Sequence, residues 1–161
     1  MWRDNMNEDA FDVEISRAAK EYSLPPALIK AAIKQESAFN PRAYRDEPAI
    51  SDGSYGLMQL LYQTARSLGY TGTPAGLFDP GTNILLGAKY IRSMMDQFHQ
   101  DERLAIAGYN AGPGLVARLL ERYGTSFEAV STHLPSVTRH HVESVMAYYE
   151  EFLEGPGLRR Q

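Results

Sequence analysis

Glu36 closes a predicted helix whose inward positions are Leu28, Ile29, Ala32 and Ile33. On a wheel advancing about 100° per residue it falls within about 20° of Ile29, while Lys30 and Lys34 fall on the opposite side. A carboxyl is thereby aimed into the apolar face, where a charge is costly unless it is neutralised or paired. Burial raises a carboxyl pKa, and the partial negative charge of a helix C-terminus pushes the same way. Two roles fit that position. One is a general acid held protonated near neutral pH, as glycoside cleavage requires; the other is a structural carboxylate that pairs with a buried Arg or caps a loop. Asp46, Glu47 and Asp52 follow in a polar stretch, placed either to hold a water opposite the acid or simply to keep that loop solvated.

Other chemistries lack their residues. The chain has no Cys, which excludes thiol catalysis, disulfides and Cys-ligated zinc. Its four His form neither HExxH nor a helical i, i+4 pair, and no G-x-S-x-G is present. No metal and no cofactor are expected.

The elements that must position Glu36 are helices. Phe11, Ile15, Ala18, Ala19 and Tyr22 recur at helical spacing, and Pro25-Pro26 opens the helix that carries the acid, which stops at Asn40-Pro41. Residues 42–56 read as a long loop or a small irregular ribbon. Leu57, Leu61, Ala65 and Leu68 predict a further helix closed by Gly69, and a turn-rich connector follows. Asp79-Pro80 signals the next helix start, with Ile84, Ala88, Ile91, Met95 and Phe98 on one face. The stretch from Asp101 to Asn110 is apolar nearly all round and should lie deep in the core. Another helix carries Leu115 to Tyr123, Thr125 with Glu128 matches a capping box, and the last helix runs from Ser136 through His141 and Val145 to Phe152. This is a mainly α chain of about seven or eight helices, with a β ribbon near residues 44–56 as its one exception. Residues 155–161 are expected to fray.

With 161 residues and 43% hydrophobic composition, one compact domain spanning 1–161 is expected. The net charge of −4 opposes a polyanionic partner such as nucleic acid. The stretch Leu104 to Ala117 is too short and too broken to span a bilayer, so no membrane partner is expected. The acidic start, with Asp4, Glu8, Asp9 and Asp12, does not read as a signal peptide.

Four segments taken together resemble the lytic transglycosylase family, which shares its fold with goose-type lysozyme. Glu36-Ser37-Ala38-Phe39-Asn40-Pro41 resembles that family's ES-x-F-x-P motif. Gly56-Leu57-Met58-Gln59-Leu60 with Thr64-Ala65 resembles its GLMQ-L…TA motif. Asp79-Pro80, Asn83-Ile84, Leu86-Gly87 and Tyr90-Ile91 resemble its third block, and Gly108-Tyr109-Asn110-Ala111-Gly112 its A-Y-N-A-G block, with Gly108 replacing Ala. The four blocks stand in the family's order across roughly residues 25–125. Near the C-terminus the family pattern P…E-T-R-x-Y-V is broken: Val137 stands where a Glu is expected and His141 where a Tyr is expected.

The resemblance implies a lysozyme-like single domain that cuts the β-1,4 bond between N-acetylmuramic acid and N-acetylglucosamine. Glu36 is the implied acid, and the implied product carries a 1,6-anhydromuramyl end formed without water. Hydrolysis by a muramidase, with one of the loop acids holding a water, is the alternative; a wall-binding domain without turnover is the alternative of another class. Ser37, Ser54, Tyr55, Met58, Gln59, Tyr109 and Asn110 are the implied substrate contacts. Peptidoglycan glycan strands are the implied partner, met at the cell wall or in the periplasm by a monomer. The enzyme would reach them by phage-lysin release or as a processed exported form.

Overall fold

The computed structural model describes residues 7–155. Eight α-helices and a three-stranded antiparallel sheet stand among them. The helices are α1 (Asp12–Tyr22), α2 (Pro26–Ser37), α3 (Tyr62–Ser67), α4 (Pro80–Gln97), α5 (Glu102–Ala111), α6 (Pro113–Tyr123), α7 (Phe127–Ser131) and α8 (Ser136–Glu154). The strands are β1 (Tyr44–Glu47), β2 (Asp52–Tyr55) and β3 (Leu60–Leu61), in the order β1-β2-β3. Tyr44 pairs with Tyr55 and Glu47 with Asp52; Tyr55 pairs in turn with Leu60.

The centre of the molecule is α2. Pro26 supplies a preset φ at its first turn, and every residue from Pro26 to Ile33 is buried. It packs against α8 and α1; α4 packs in turn on α1 and α5, and α5 on α8. Such all-round burial needs an answer for Lys30, which the helical pattern assigns to solvent but which is buried. Its ammonium is met by Asp9 and Asp12, each at 2.8 Å, and lies 5.1 Å from the centre of the Phe152 ring. Lys34 is matched likewise by Glu8 at 2.9 Å and by the Tyr148 ring at 4.6 Å. The segment before α1 and the end of α8 thus cover the side of α2 that an amphipathic reading leaves open.

Several start signals act as expected. Asp79 accepts from the Thr82 N–H at 2.9 Å and Asp101 from that of Leu104 at 3.0 Å, capping α4 and α5. Leu104 through Gly108 are buried on α5. Two readings need correction. The cap of α7 is Ser126, accepting from Ala129 at 3.1 Å, rather than the box beginning at Thr125. The helix expected from Leu57 begins only at Tyr62, because Gly56 and Gln59 adopt positive φ and Leu60–Leu61 join the sheet as β3. Leu57 is buried as its pattern demands, but Leu61 is only half-buried and Leu60 is buried in its place; burial there is achieved by a turn and a strand. Gly155 ends α8, and residues 156–161 of the expected frayed tail lie outside the described residues, as do residues 1–6 of the acidic start.

Candidate active site

The acid sits where α2 stops. Ala38 and Phe39 both take left-handed conformations, φ 50° and 64°, so the chain reverses within three residues of Glu36. This end comes earlier than the Pro41 rule alone places it, and buried Phe39 anchors the reversal. Ser37 Oγ donates to the Leu57 carbonyl at 2.7 Å, with the Ile33 carbonyl at 3.1 Å. The last turn of α2 is thereby tied to the turn between β2 and β3.

That turn is itself held from two sides. From α4, fully buried Asn83 accepts from the Met58 N–H and donates to the carbonyls of Tyr55 and Leu77, all at 2.8 Å. From α5, the Tyr109 hydroxyl donates to the Met58 carbonyl at 2.7 Å, its ring 5.0 Å from that of Tyr90. Met58 is completely buried, and its sulfur packs so closely on Gly87 that a Cβ at that position would overlap it. It meets its surroundings through its backbone, and its side chain has no surface to offer a ligand. Gly56 is required as glycine: its φ is +74°, and a Cβ would stand 2.6 Å from Asn83 Nδ2.

The fourth wall is α8. Thr138 donates to Asn110 Oδ1 at 2.8 Å, locking α8 to the end of α5. One turn on, His141 Nε2 lies 3.6 Å from Glu36 Oε1. Only 15% of the Glu36 side chain and 9% of that of His141 reach solvent. Burial raises the Glu36 pKa to about 8, against a smaller downward pull from the Arg45 guanidinium on β1. Burial depresses His141 to about 4, helped by neighbouring His140. Near pH 7 the pair is therefore an uncharged carboxyl beside an uncharged imidazole, not a salt bridge. Burial, reinforced by Glu36 and Tyr90, also raises the Tyr109 phenol well above its usual range.

The remaining sequence-predicted residues divide. Ser54 is buried on β2 and donates to Glu47 Oε1 at 3.1 Å. Tyr55 lies between the tilted Tyr44 ring at 5.1 Å and the edge-on Phe78 ring at 5.5 Å. Gln59 donates to the carbonyls of Ala43 and Gly56 at 3.1 and 2.9 Å, a structural use of its amide. Of the three loop acids, Asp52 is engaged outright: it accepts from the N–H groups of Gly53, Tyr62 and Gln63 at 2.7, 3.1 and 3.0 Å and so caps α3. Burial acts to raise its pKa, but the N–H groups of Gln63, Gly53 and Tyr62 hold it below the usual range. Glu47 is shared by Ser54 and Arg45, and Asp46 is exposed on β1. Among the described residues no group of three or more His, Asp or Glu is arranged to hold a metal ion.

An isolated carboxyl in an apolar helix end, walled by a small sheet and by α4, α5 and α8, invites comparison with known proteins. The Transglycosylase SLT domain family matches residues 14–130. The chain belongs to this family. Among curated SLT-type relatives, the soluble lytic murein transglycosylase of Escherichia coli K12 is 34% identical over 155 residues, covering 88% of this chain and 23% of that protein. The transglycosylase of Enterobacteria phage PRD1 is 36% identical over 98 residues, covering 61% of this chain and 33% of that protein. Among solved structures, an inactive Glu-to-Gln mutant of the lytic transglycosylase Slt from Pseudomonas aeruginosa superposes with a TM-score of 0.79 at 32% identity, over 93% of this chain and 25% of that one. The 70-kDa soluble lytic transglycosylase bound to bulgecin A gives 0.78 at 31% identity, over 92% and 25%. The chain thus spans about a quarter of the length of its full-length soluble relatives. No helix among the described residues is long and apolar enough to cross a membrane.

Three residues of this candidate site were not singled out for it from sequence. Arg45 stood among loop charges. Asn83 is a polar residue on the same face as Gly87 and Ile91, a buried-polar signal of the kind that exposed Glu36. His141 lies on the apolar stripe of α8, and the sequence pattern left its place in the cleft open.

Proposed function

We propose that residues 1–161 act as a single catalytic domain that cuts peptidoglycan glycan strands at the N-acetylmuramyl β-1,4 bond without consuming water. The observation that carries this reading is Glu36: a buried carboxyl, protonated up to about pH 8, with no cation bonded to it. In the first step its proton passes to the glycosidic oxygen while the C1–O bond breaks, the bonding pair leaving with that oxygen. The substrate's own acetamido oxygen attacks C1 and absorbs the oxocarbenium charge. In the second, the muramyl C6 hydroxyl attacks C1, the acetamido oxygen leaves, and the hydroxyl proton returns to Glu36. The nucleophile is already on the same sugar, which supplies the proximity advantage. The engagement of Asp52, whose two oxygens accept three N–H groups, favours this route over a hydrolytic one that would need it to hold a water.

Ser37 and Gln59 serve this reading by fixing the acid's turn, and Asn110 and Tyr109 by fixing the walls. Tyr55 and its aromatic neighbours offer ring faces suited to pyranose contacts, with Ser54 beside them. A monomer acting at the cell wall, delivered by phage-lysin release or by export, is the setting we propose. The test is release of muropeptides from purified sacculi by the wild type and by Glu36→Gln. Wild type should yield ends lighter by one water than reducing ends, and the variant should lose at least about a hundredfold in rate. Reducing ends would establish a hydrolase; sedimentation with the wall without sugar release would establish a binding domain.

A further inference from the structure

The geometry points to His141 as a positioning residue for Glu36, its Nε2–H aimed at Oε1 so that the contact tightens as the carboxyl gives up its proton. This rests on the reading of Glu36 as the acid. Two observations carry it. His141 is buried on α8 with Nε2 3.6 Å from Oε1, and α8 is held in register by Thr138 bonding Asn110 on α5, so the imidazole approaches from a fixed wall.

At 3.6 Å the resting contact is longer than a hydrogen bond, and closing it takes a shift of less than about 1 Å. Apo enzymes commonly show this slack before substrate arrives. The Nε2–H tautomer suits both protonation states. It donates weakly to the carbonyl-type oxygen of the neutral acid and strongly to the carboxylate that exists between proton release and proton recovery. A donor whose bond strengthens as charge develops lowers the barrier instead of merely holding the ground state. A charged imidazolium would instead pull the proton off Glu36 in the resting enzyme, and the burial that keeps His141 neutral prevents this. The other ionisable groups facing the pair are Tyr109 from α5, Arg45 from β1 and His140 on α8 itself. Tyr109 is uncharged near pH 7, and Arg45 is largely in solvent.

The test uses wild type, Glu36→Gln, His141→Phe and His141→Gln on purified sacculi across pH 5–9, with the Glu36 side-chain carboxyl titrated by carbon NMR. His141→Phe should lower kcat by about ten- to a hundredfold with KM within about twofold. Its alkaline limb and its Glu36 midpoint should both move upward by at least about half a pH unit, because the carboxylate has lost its donor. His141→Gln, which retains a side-chain N–H, should recover most of kcat. Unmoved limb and midpoint in His141→Phe, whatever happens to kcat, would overturn the proposal. If the Phe variant does not fold, nitrogen NMR of wild-type His141 decides alone: an Nε2–H tautomer supports it and an Nδ1–H tautomer sinks it. Full activity in Glu36→Gln is a separate outcome that removes the catalytic reading while leaving the carboxyl titration interpretable.

Discussion

Ser37 Oγ donates to the carbonyl of Leu57 at 2.7 Å across the gap between the end of α2 and the turn leading to β3. The hydroxyl neighbours the acid in sequence, so this bond fixes the direction in which the last helical turn points Glu36. Removing it in Ser37→Ala leaves a carbonyl short of one partner. We expect a stability loss of about 1 kcal/mol, with kcat falling several-fold and KM nearly unchanged. Denaturant melts paired with steady-state rates on sacculi check this; equal losses in kcat and in 1/KM would instead mark Ser37 as a direct substrate contact.

Much of this arrangement is visible in the chain before it folds. Helical spacing locates α1, α4, α6 and α8 by apolar residues recurring with the period of 3.6, α2 and α5 are buried beyond a single stripe, and Asp79 and Asp101 mark starts with side chains that cap. Glu36 betrays itself as a carboxyl on an apolar face. What periodicity misreads is the stretch from Leu57 to Leu61. Leucines spaced by four satisfy a helix, yet here Leu57 is buried in a turn and Leu61 sits half-buried in a short strand beside buried Leu60, because Asn83, 25 residues beyond Met58, claims the Met58 N–H. Long-range hydrogen bonds of that kind leave no local trace. Nor does the burial of Lys30: its partners Asp9 and Asp12 lie about five turns of helix away in sequence, and only the fold of α1 against α2 brings them over it. His141 was legible as an inward residue and not as a neighbour of Glu36, since the contact joins α2 to α8 across most of the chain.

Keeping Glu36 protonated costs stability, and the pH at which it does so is defined. The folded pKa of about 8 lies above the ordinary 4.5, so the folded state holds a proton that the unfolded state releases. Stability then falls as pH rises from about 4.5 to about 8. His141 has the opposite sign: its pKa of about 4 against 6.5 makes stability fall as pH drops from 6.5 towards 4. Between about 4.5 and 6.5 the two slopes cancel. Glu36→Gln should therefore be more stable than wild type at pH 8–9, by an amount on the order of a few kcal/mol, and differ little below pH 4.5. Thermal melts of both proteins across that range test it, and a Gln variant whose advantage over wild type is no larger at pH 9 than at pH 4 would contradict the raised pKa.

Asp52 separates the two possible chemistries. Its three N–H partners make it a helix cap and engage both of its oxygens. Asp52→Ala should cost about 1–2 kcal/mol through the lost cap of α3. Glu47→Gln and Asp46→Asn should each leave stability within about 0.5 kcal/mol. In all three variants the muropeptide ends should remain of the anhydro type, read by mass spectrometry. A wild type that yields reducing ends, lost on Glu47→Gln or Asp46→Asn, would move the reaction to the hydrolytic class.

Asn83 carries the heaviest structural prediction. Its amide satisfies one N–H and two carbonyls of the chain around the β2–β3 turn, and no solvent reaches it. Alanine leaves Met58, Tyr55 and Leu77 each without that partner, at a combined cost of about 3 kcal/mol or more. Aspartate is the sharper probe. It keeps an acceptor for the Met58 N–H but turns a carboxylate oxygen towards the carbonyls of Tyr55 and Leu77, where the amide had donated. Asn83→Asp should thus be at least as destabilising as Asn83→Ala near pH 7, and should recover as pH falls and the buried carboxyl takes up a proton able to donate. Exposed Asn40, whose Oδ1 accepts from Arg42 at 3.0 Å, is the control: its alanine variant should lose no more than about 1 kcal/mol. Urea midpoints at pH 5 and pH 8 for the three variants distinguish these expectations. Equal effects at Asn83 and Asn40 would mean that the turn beneath Glu36 does not depend on α4.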